Sequence, residues 1–289
     1  MQKMRNFTFS RVNPGCCRFP VFLSWAFCLL PFSCCAADLP LWEAGAGVGV
    51  ASFQDYRGSD QRHTYALPIP YLVYRGDFLQ VDRDRIRGLL FETDAMAADI
   101  SVFGSVPVKS DKNNARKGMP DLDLTVEVGP QLSFFLKRGK PSDYNLTLRL
   151  PLRNVRPVST GTLGNAGWLF SPSLDLECEP EPAWKAKVSV GPLFADKKYH
   201  DYFYGVKPQY ATAERPAYFA RGGYNGMQLF STLSKRFPNF WVGAFLQADN
   251  LNGTAFEDSP LVRKKYSISA GFGISWVFAE SNKLVRTND

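Results

Sequence analysis

The sequence predicts an all-β protein, an antiparallel transmembrane β-barrel with short periplasmic turns and longer outer loops. Three observations lead to this fold class. Apolar and polar side chains alternate over long segments, short and long connections alternate along the chain, and no helical segment of useful length is present. The 289-residue chain is 45% hydrophobic and 14% aromatic, which excludes a disordered chain. Its mean hydropathy of -0.19 excludes a bundle of membrane helices.

The first 37 residues have the pattern of a secretory signal peptide. Residues 1–18 carry four basic side chains and no acidic one, and an apolar run follows at 19–32. This run is too short to cross a bilayer as a helix, which takes about 20 residues. Small residues at 34–37 precede Asp38, so we expect export and cleavage after Ala37.

Cleavage after Ala37 changes the composition of the mature chain. Five of the six cysteines are lost and Cys178 remains alone, which excludes an intrachain disulfide and a cysteine metal cluster. Four of the 34 basic residues and none of the 27 acidic ones are lost, so the net charge falls from +7 to +3. We see no basic face of the kind that binds nucleic acid. The basic run from Lys109 to Lys117 is interpreted as a solvated outer loop, with contact to anionic lipopolysaccharide as the alternative.

Alternation identifies the individual strands. In 266–278 every even position is apolar, from Tyr266 to Phe278, and the positions between them are mostly Ser or Gly. Side chains of a strand point alternately to its two faces, so one face of this segment is apolar along its whole length. Comparable patterns predict strands at 42–53, 65–74, 77–82, 86–92, 97–107, 122–136, 143–153, 167–178, 184–194, 219–236, 239–250 and 264–278.

The strand number follows from parity. Both termini of such a barrel lie in the periplasm, which requires an even number of strands. A continuous strand at 77–92 would give eleven, but four charged residues at 82–85 interrupt its alternation. We therefore expect twelve strands, with a tight outer turn at 83–85 and the turn at 75–77 in the periplasm. Ten strands is the alternative, if a short pair stays outside the barrel.

Alternation by itself also fits a water-soluble β-sandwich, whose polar face is outermost. Strands of 10–15 residues instead match a tilted membrane crossing, which needs about 9–11 residues at minimum. Tryptophans near strand ends resemble the aromatic girdles of outer-membrane barrels, and all five of the mature chain lie there: Trp42, Trp168, Trp184, Trp241 and Trp276. Long polar connections at 108–121, 154–166, 195–218 and 251–263 alternate with short ones. In a barrel the apolar side faces lipid and the polar side faces the lumen.

The polar side of the predicted barrel carries charges of both signs, at Asp123, Glu127, Arg149, Arg153, Asp175, Glu177, Lys185 and Lys187. Symmetric turns at 136–144 and 178–184 would place Glu127 opposite Arg153, Gln131 opposite Arg149, Glu177 opposite Lys185 and Asp175 opposite Lys187. Opposite charges across a ladder attract by about 0.2–1 kcal/mol. We expect a salt-bridged interior, with charges that only hydrate the lumen as the alternative.

Segments in the predicted loops and strand ends carry a family resemblance. Tyr56, Gly58 and Asp60 follow the first strand, Tyr204 and Gly205 lie in the longest outer loop, and Asp258, Ser259 and Pro260 precede the last strand. That strand closes with Gly273, Trp276 and Phe278. In this order, with the aromatic segment 239–242, the chain resembles the MipA/OmpV family of Gram-negative outer-membrane proteins over nearly all of its mature length.

The resemblance implies a non-enzymatic scaffold in the outer membrane that binds a lytic murein transglycosylase and a peptidoglycan synthase. Other members are described as porin-like, so a narrow channel for small solutes is the alternative function. The chain departs from the family pattern at 247–251 and in the eleven residues after Phe278. Gly273, Trp276 and Phe278 keep the spacing that the barrel assembly machinery reads, so we expect a barrel at 38–278 and a periplasmic tail at 279–289.

Little in the sequence points to an enzyme, and we expect neither a cofactor nor a metal. The two histidines lie in predicted loops, His63 near Asp55 and His200 near Asp196. Each has an acidic neighbour and could serve as a general base, so a hydrolase is the least favoured of three functions. Glycines at 45, 47 and 49 resemble a nucleotide motif only faintly, because no helix follows them, and they more simply permit close approach of strands.

Overall fold

The computed structural model describes residues 38–82, 86–139, 143–159, 162–180 and 183–286. The predicted signal peptide at 1–37 and the predicted outer turn at 83–85 lie outside these residues. The described chain consists of antiparallel strands, one short helix α1 (Lys197–Tyr204) and two 3-10 turns, Ser110–Lys112 and Pro208–Tyr210. None of these helical segments has the length and hydropathy that a helix needs to cross a membrane.

Twelve strands form the wall of a closed barrel. They are β1 (Trp42–Gln54), β2 (Arg62–Arg75), β3 (Leu79–Val81), β4 (Ile86–Glu92), β5 (Met96–Gly104), β6 (Leu124–Lys137), β7 (Tyr144–Ser159), β8 (Trp168–Phe170 and Ser173–Cys178), β9 (Trp184–Ala195), β10 (Gly223–Arg236), β11 (Phe240–Asn250) and β12 (Tyr266–Glu280). Each strand pairs with its neighbours in the chain, and β12 pairs with β1 to close the ring. The prediction of twelve strands is confirmed, and the alternative of ten is wrong.

Several strand boundaries differ from the predicted ones. β7 runs to Ser159 instead of 153, because it stays paired with β6 as far as Leu124 opposite Val158. It then turns back through Thr162–Leu163, so the predicted loop at 154–166 is largely a β-hairpin. β10 begins at Gly223 rather than 219. β3 has only three residues, which leaves the wall low between β2 and β5.

The barrel has its apolar side outward. On β12, Phe272 is 58% exposed and Ser275 is fully buried, and the alternation holds along the strand. On β7, Thr147 and Arg149 are buried inside, whereas Leu146 and Leu148 lie on the outer face. An outward apolar belt around a polar interior is the arrangement of a transmembrane barrel and the inverse of a water-soluble sandwich. The predicted fold class is therefore confirmed.

Four of the five tryptophans lie on the outer face, but Trp241 does not. Trp42, Trp168 and Trp276 are exposed near strand ends, as a girdle requires. Trp241 occupies an inward position of β11, where its ring lies 6.2 Å from that of Tyr71. The expectation that all five belong to girdles is wrong for Trp241, because its position in the alternation places it in the lumen beside an aromatic partner.

A buried carboxylate holds the periplasmic end of the barrel together. Glu43 accepts hydrogen bonds from Arg75 Nη2 at 2.7 Å, Arg236 Nε at 3.0 Å and the Tyr71 hydroxyl at 3.1 Å. Arg75 also donates to the carbonyl of Pro40 at 2.7 Å, which fixes the segment before β1. Charge-assisted bonds of this kind are stronger than neutral ones. One carboxylate therefore links β1, β2 and β10 across the end of the lumen.

The two ends of the described chain pair beyond the barrel. Asp38–Pro40 and Leu284–Arg286 form a two-stranded antiparallel sheet, hereafter the terminal pair. It continues the barrel through two bonds, from Leu41 N to Lys283 O at 2.8 Å and from Ser281 N to Trp42 O at 2.9 Å. β12 ends at Glu280, two residues beyond the predicted end of the barrel at 278.

The long outer loops form one packed layer instead of separate polar loops. This layer, hereafter the cap, comprises residues 55–61, 105–123, 196–222 and 251–265. Its buried apolar core is Tyr56, Val108, Ala115, Leu122, Tyr204, Val206, Ala220, Leu251, Phe256 and Leu261. The rings of Tyr204 and Phe256 stack at a centroid distance of 3.7 Å. Burial of this much apolar surface stabilises a fixed loop conformation at the outer end of the barrel.

Candidate functional site

The lumen contains a network of ion pairs on β6 to β9. Arg153 Nε donates to Glu127 at 3.0 Å, and Arg149 bonds Asp175 at 2.5 Å and Glu177 at 2.9 Å. Lys187 lies 3.4 Å from Asp175 and 3.5 Å from Glu177. The structure thus brings together most of the charges that the alternation placed inside, and their signs are interleaved along one side of the lumen.

The register within this network differs from the predicted one by two residues. Glu127 lies opposite Val155 and Gln131 opposite Pro151, so Arg153 reaches Glu127 diagonally. Arg149 lies opposite Ser173 of β8 and reaches Asp175 diagonally. Likewise Glu177 lies opposite Lys187, and Asp175 opposite Ser189. Lys185 instead bonds Glu179 at 3.2 Å. The assumption of symmetric turns is wrong, because the last ladder pairs are Lys137 with Leu146 and Cys178 with Ala186, and a bulge lies between Phe135 and Lys137.

A cavity of about 680 Å³ occupies the lumen, a size typical of ligand pockets. One side of its lining is charged and includes Arg149, Glu177 and Lys187. The opposite side, from β1, β2, β11 and β12, consists of apolar side chains and glycines: Phe53, Leu67, Ile69, Phe245, Gly271 and Gly273. Among the described residues, the lining includes no residue of the cap. The cavity is therefore amphipathic, and its lining residues come from the barrel wall and its periplasmic connections.

Arg57 anchors the cap in the outer end of the lumen. Its Nε donates to Asp249 Oδ1 at 2.9 Å and its Nη1 donates to Asn225 Oδ1 at 3.1 Å. The Asp249 carboxylate also accepts from Gln228 at 3.0 Å and from Gln247 at 2.9 Å. Its side chain is only 2% exposed, so it depends on these donors. Sequence reasoning missed this pair, because Arg57 and Asp249 are 192 residues apart.

The residues that carried the family resemblance meet in the cap. The Tyr56 hydroxyl donates to the Leu261 carbonyl at 2.8 Å, and the Tyr204 hydroxyl donates to the Arg57 carbonyl at 3.1 Å. Ser259 Oγ donates to the Tyr204 carbonyl at 2.7 Å.

Gly58 has a φ of +93°, and its carbonyl accepts from the Arg263 amide at 2.7 Å. Gly205 lies so close to Asp201 that a Cβ would lie 2.5 Å from its carbonyl oxygen. Asp60 and Asp258 are exposed, and Pro260 is half-buried. The motif residues at 56–59, 204–205 and 259 thus lock loops from distant parts of the chain together.

The basic run from Lys109 to Lys117 has two roles. Lys109 is exposed and bonds Asp121 at 2.7 Å. Arg116 is buried, and its guanidinium donates to the carbonyls of Phe203 at 2.9 Å and Pro120 at 3.2 Å. The interpretation of the whole run as a solvated loop is therefore wrong for Arg116, which holds the cap together from inside.

Both histidines serve the cap. His63 Nδ1 lies 2.6 Å from Asp55 Oδ1, and Asp55 Oδ2 accepts from Asn113 Nδ2 at 2.6 Å, which ties the loop at 105–123 to the first hairpin. His200 is fully buried, bonds the Arg221 carbonyl through Nδ1, and packs 4.7 Å from the Phe256 ring. Burial lowers the pKa of His200, so the ring is neutral at neutral pH.

The predicted assembly signal lies on both faces of β12. Trp276 and Phe278 point outward and are exposed near the periplasmic end, whereas Gly273 is buried inside. A Cβ at Gly273 would lie 2.5 Å from Ile69 Cδ1, so glycine leaves the room that the Ile69 side chain fills. At Gly47 a Cβ would lie 2.0 Å from the Ile274 carbonyl oxygen, which agrees with close approach of strands at the predicted glycine series. Within the described residues, no cluster of three or more potential metal ligands occurs.

A sequence model of the family described as MltA-interacting protein MipA matches residues 46–278. No curated protein sequence matches. An outer-membrane channel from Pseudomonas putida F1 is 14% identical to this chain, with a TM-score of 0.45. The aligned region covers 84% of this chain and 98% of the channel. The NanC porin is 9% identical with a TM-score of 0.38, over 98% of that chain and 81% of this one. Outer-membrane phospholipase A from Escherichia coli is 10% identical, with a TM-score of 0.34, and the aligned region covers 80% of this chain and 92% of the phospholipase. Likeness at this level carries no information on what this chain binds.

Replacing Arg57 tests the anchor of the cap. Arg57→Ala leaves the buried Asp249 carboxylate without its guanidinium, and loss of one partner of a buried pair costs about 3–5 kcal/mol. We expect the amides of Val262 and Arg263, which bond within the cap, to exchange with deuterium much faster than in the unaltered protein. Arg62→Ala, which removes an exposed arginine at the start of β2, is the matched control and should leave exchange unchanged. Equal exchange in both variants would contradict the anchoring role.

The buried histidine makes the cap sensitive to acid. The pKa of His200 is lower in the folded cap than in the unfolded loop, so its contribution to stability is complete above pH 6.5 and is lost as the pH falls below it. Between pH 8 and 5.5 we expect proteolysis of the cap to accelerate. His200→Asn, which cannot titrate, should give a flatter pH profile over the same range. A profile as steep as that of the unaltered protein would assign the acid sensitivity to other groups.

Proposed function

Because the chain belongs to the MipA family, we propose that this outer-membrane β-barrel is a non-enzymatic scaffold for enzymes that process murein. The family description names an interaction with MltA, and we propose a lytic murein transglycosylase as the first partner and a peptidoglycan synthase as the second. Both classes of enzyme act on the murein layer beneath the outer membrane. The periplasmic face of the barrel is therefore the surface that they meet.

The observation that carries this proposal is the contrast between the two ends of the barrel. The cap fills the outer end with a buried apolar core and the Arg57–Asp249 pair. The periplasmic end offers short turns and the terminal pair, which in the described residues is a sheet of only two strands. A sheet with open edges can accept an added strand from a partner. A barrel whose outer end carries the cap, and whose terminal pair has unpaired edges at the periplasmic end, fits a scaffold better than a channel.

We also propose export with cleavage after Ala37, as the sequence pattern predicts. Asp38, the first residue after that point, lies opposite Arg286. The mature chain would thus begin in the strand that joins its two ends. We propose that the mature protein consists of the barrel with this pair on its periplasmic side, in the outer membrane of a Gram-negative cell.

The structure of the cap supports a role without catalysis. His200 is fully buried and bonded to a backbone carbonyl, so a substrate has no access to it. His63 is bonded to Asp55, whose other oxygen bonds Asn113, and this chain of bonds fixes a loop. We propose that both histidines stabilise the cap and that neither is a general base.

Capture of a purified lytic transglycosylase on the refolded, immobilised barrel tests the scaffold. Deleting residues 281–289 removes one strand of the terminal pair and leaves β12 intact up to Glu280. We expect the transglycosylase to bind this variant about tenfold or more weakly, because the terminal pair is the proposed docking site. Lys109→Ala with Lys112→Ala on the exposed cap is the matched control and should bind normally. Absence of binding to the complete, folded barrel would refute the scaffold.

Conductance in planar bilayers tests the alternative, a narrow channel. A channel needs a path past the cap, so we expect no open-channel steps from the unaltered barrel. Val108 and Leu122 pair as an isolated bridge, so residues 109–121 can be replaced by a short glycine turn. This variant opens part of the cap and should show steps, which proves that the assay detects an open lumen. Equal steps from the unaltered protein would favour the channel.

A further inference from the structure

The barrel wall has an opening between β2 and β5, hereafter the window. β3 pairs with β2 only at Tyr74 and Arg75. Within the described chain, residues 62–73 of β2 have no ladder partner on this side. This edge is about 37 Å long.

The cap bounds the window from above. Gln61, at the start of β2, donates to the carbonyl of Lys112 at 3.3 Å and also accepts a bond from the Asn114 amide. The loop at 105–123 therefore bridges from the end of β5 to the first hairpin. β2, β5 and this loop bound the window, which lies within the outward apolar belt of the barrel.

The sequence of β2 is adapted to an open edge. Arg75 N donates toward β1, to the Leu41 carbonyl, and Gly76 N donates toward β3, to the Leu79 carbonyl. Since N–H groups alternate in direction along a strand, the even positions of β2 point toward the window. Pro68 and Pro70 are even positions and have no N–H, so two donors are missing from this edge. Prolines at such positions also block the addition of a further strand.

Apolar side chains on the inner faces of β2 and β5 are exposed beside the window. Leu67 shares the inner face of β2 with Tyr71, but Leu67 is 38% exposed and Tyr71 is 3% exposed. Phe103 lies opposite Glu127 on the inner face of β5 and is 56% exposed. Both line the amphipathic cavity, whose far side carries Arg149 and Glu177. Unpaired backbone at membrane depth is tolerated where it is buried in protein or lines a water-filled cavity.

We propose that the window admits the acyl chain of a membrane amphiphile into the lumen. The chain would lie against Leu67, Ile69 and Phe103, and its polar head would reach the charged side of the cavity at Arg149 and Glu177. The 680 Å³ volume matches one single-chain amphiphile, as does a lining that combines apolar side chains with charged ones, which on the window side include Asp82 and Arg87. This binding site is separate from the periplasmic surface of the proposed scaffold, so either proposal can fail without the other.

Photolabelling of the complete barrel in phospholipid nanodiscs tests the site. The probe is a fatty acid with a diazirine in its tail, and mass spectrometry locates the adducts. We expect adducts on β2 near Leu67 and on β5 near Phe103. Leu67→Asn with Phe103→Asn should reduce these adducts by about tenfold, because each change removes apolar contact area. Leu132→Asn is the matched control, since Leu132 is similarly exposed, 40%, but lies on the outer face of β6.

Two results would overturn the proposal. One is an even distribution of adducts over the outward belt, which reports lipid contact alone. The other is unchanged labelling in the double variant. A heat-dependent shift in gel mobility verifies that each variant is folded, and Leu67→Met with Phe103→Leu, which stay apolar, should retain the adducts. Cross-linking of two barrels along β2 would instead assign the window to a partner strand and would also refute the proposal.

Discussion

The structure depends on one constraint, that the hydrocarbon of a membrane accepts apolar side chains and offers no partner for polar ones. The outward belt meets this constraint with alternating apolar residues. Charged side chains in the middle of strands such as β6 and β7 then face a narrow interior, where each needs a partner of opposite sign. The pairs of Arg149 with Asp175 and of Arg153 with Glu127 are the consequence.

The two ends of the barrel use the same chemistry for different purposes. At the periplasmic end, Glu43 joins Arg75 and Arg236 and leaves short turns and the terminal pair at the surface. At the outer end, Asp249 joins Arg57 and thereby fixes a large cap. In both places a buried carboxylate is paired with an arginine from another element, so loss of the arginine leaves a buried charge without a partner. The arrangement makes the outer end rigid and the inner end accessible.

The family motifs acquire a physical meaning only in the cap. The hydrogen bonds of Tyr56, Tyr204 and Ser259 reach partners that lie 205, 147 and 55 residues away in the chain. Their order along the chain indicated a family but not a contact. The lumen presents the same contrast, because the alternation placed Glu127 and Arg153 inside, but the length of the turn decided which residues lie opposite each other.

The sequence by itself determined the twelve strands, their lipid-facing side and the charges of the lumen, because alternation is a local property that each strand carries alone. It also determined the separation of β3 from β4, because four charged residues at 82–85 interrupt the alternation. Only the tertiary structure decided the two-residue register, the packed cap, the inward Trp241 and the window. These features arise from turn geometry and from contacts between residues far apart in the chain, neither of which is recorded in the period of any single strand.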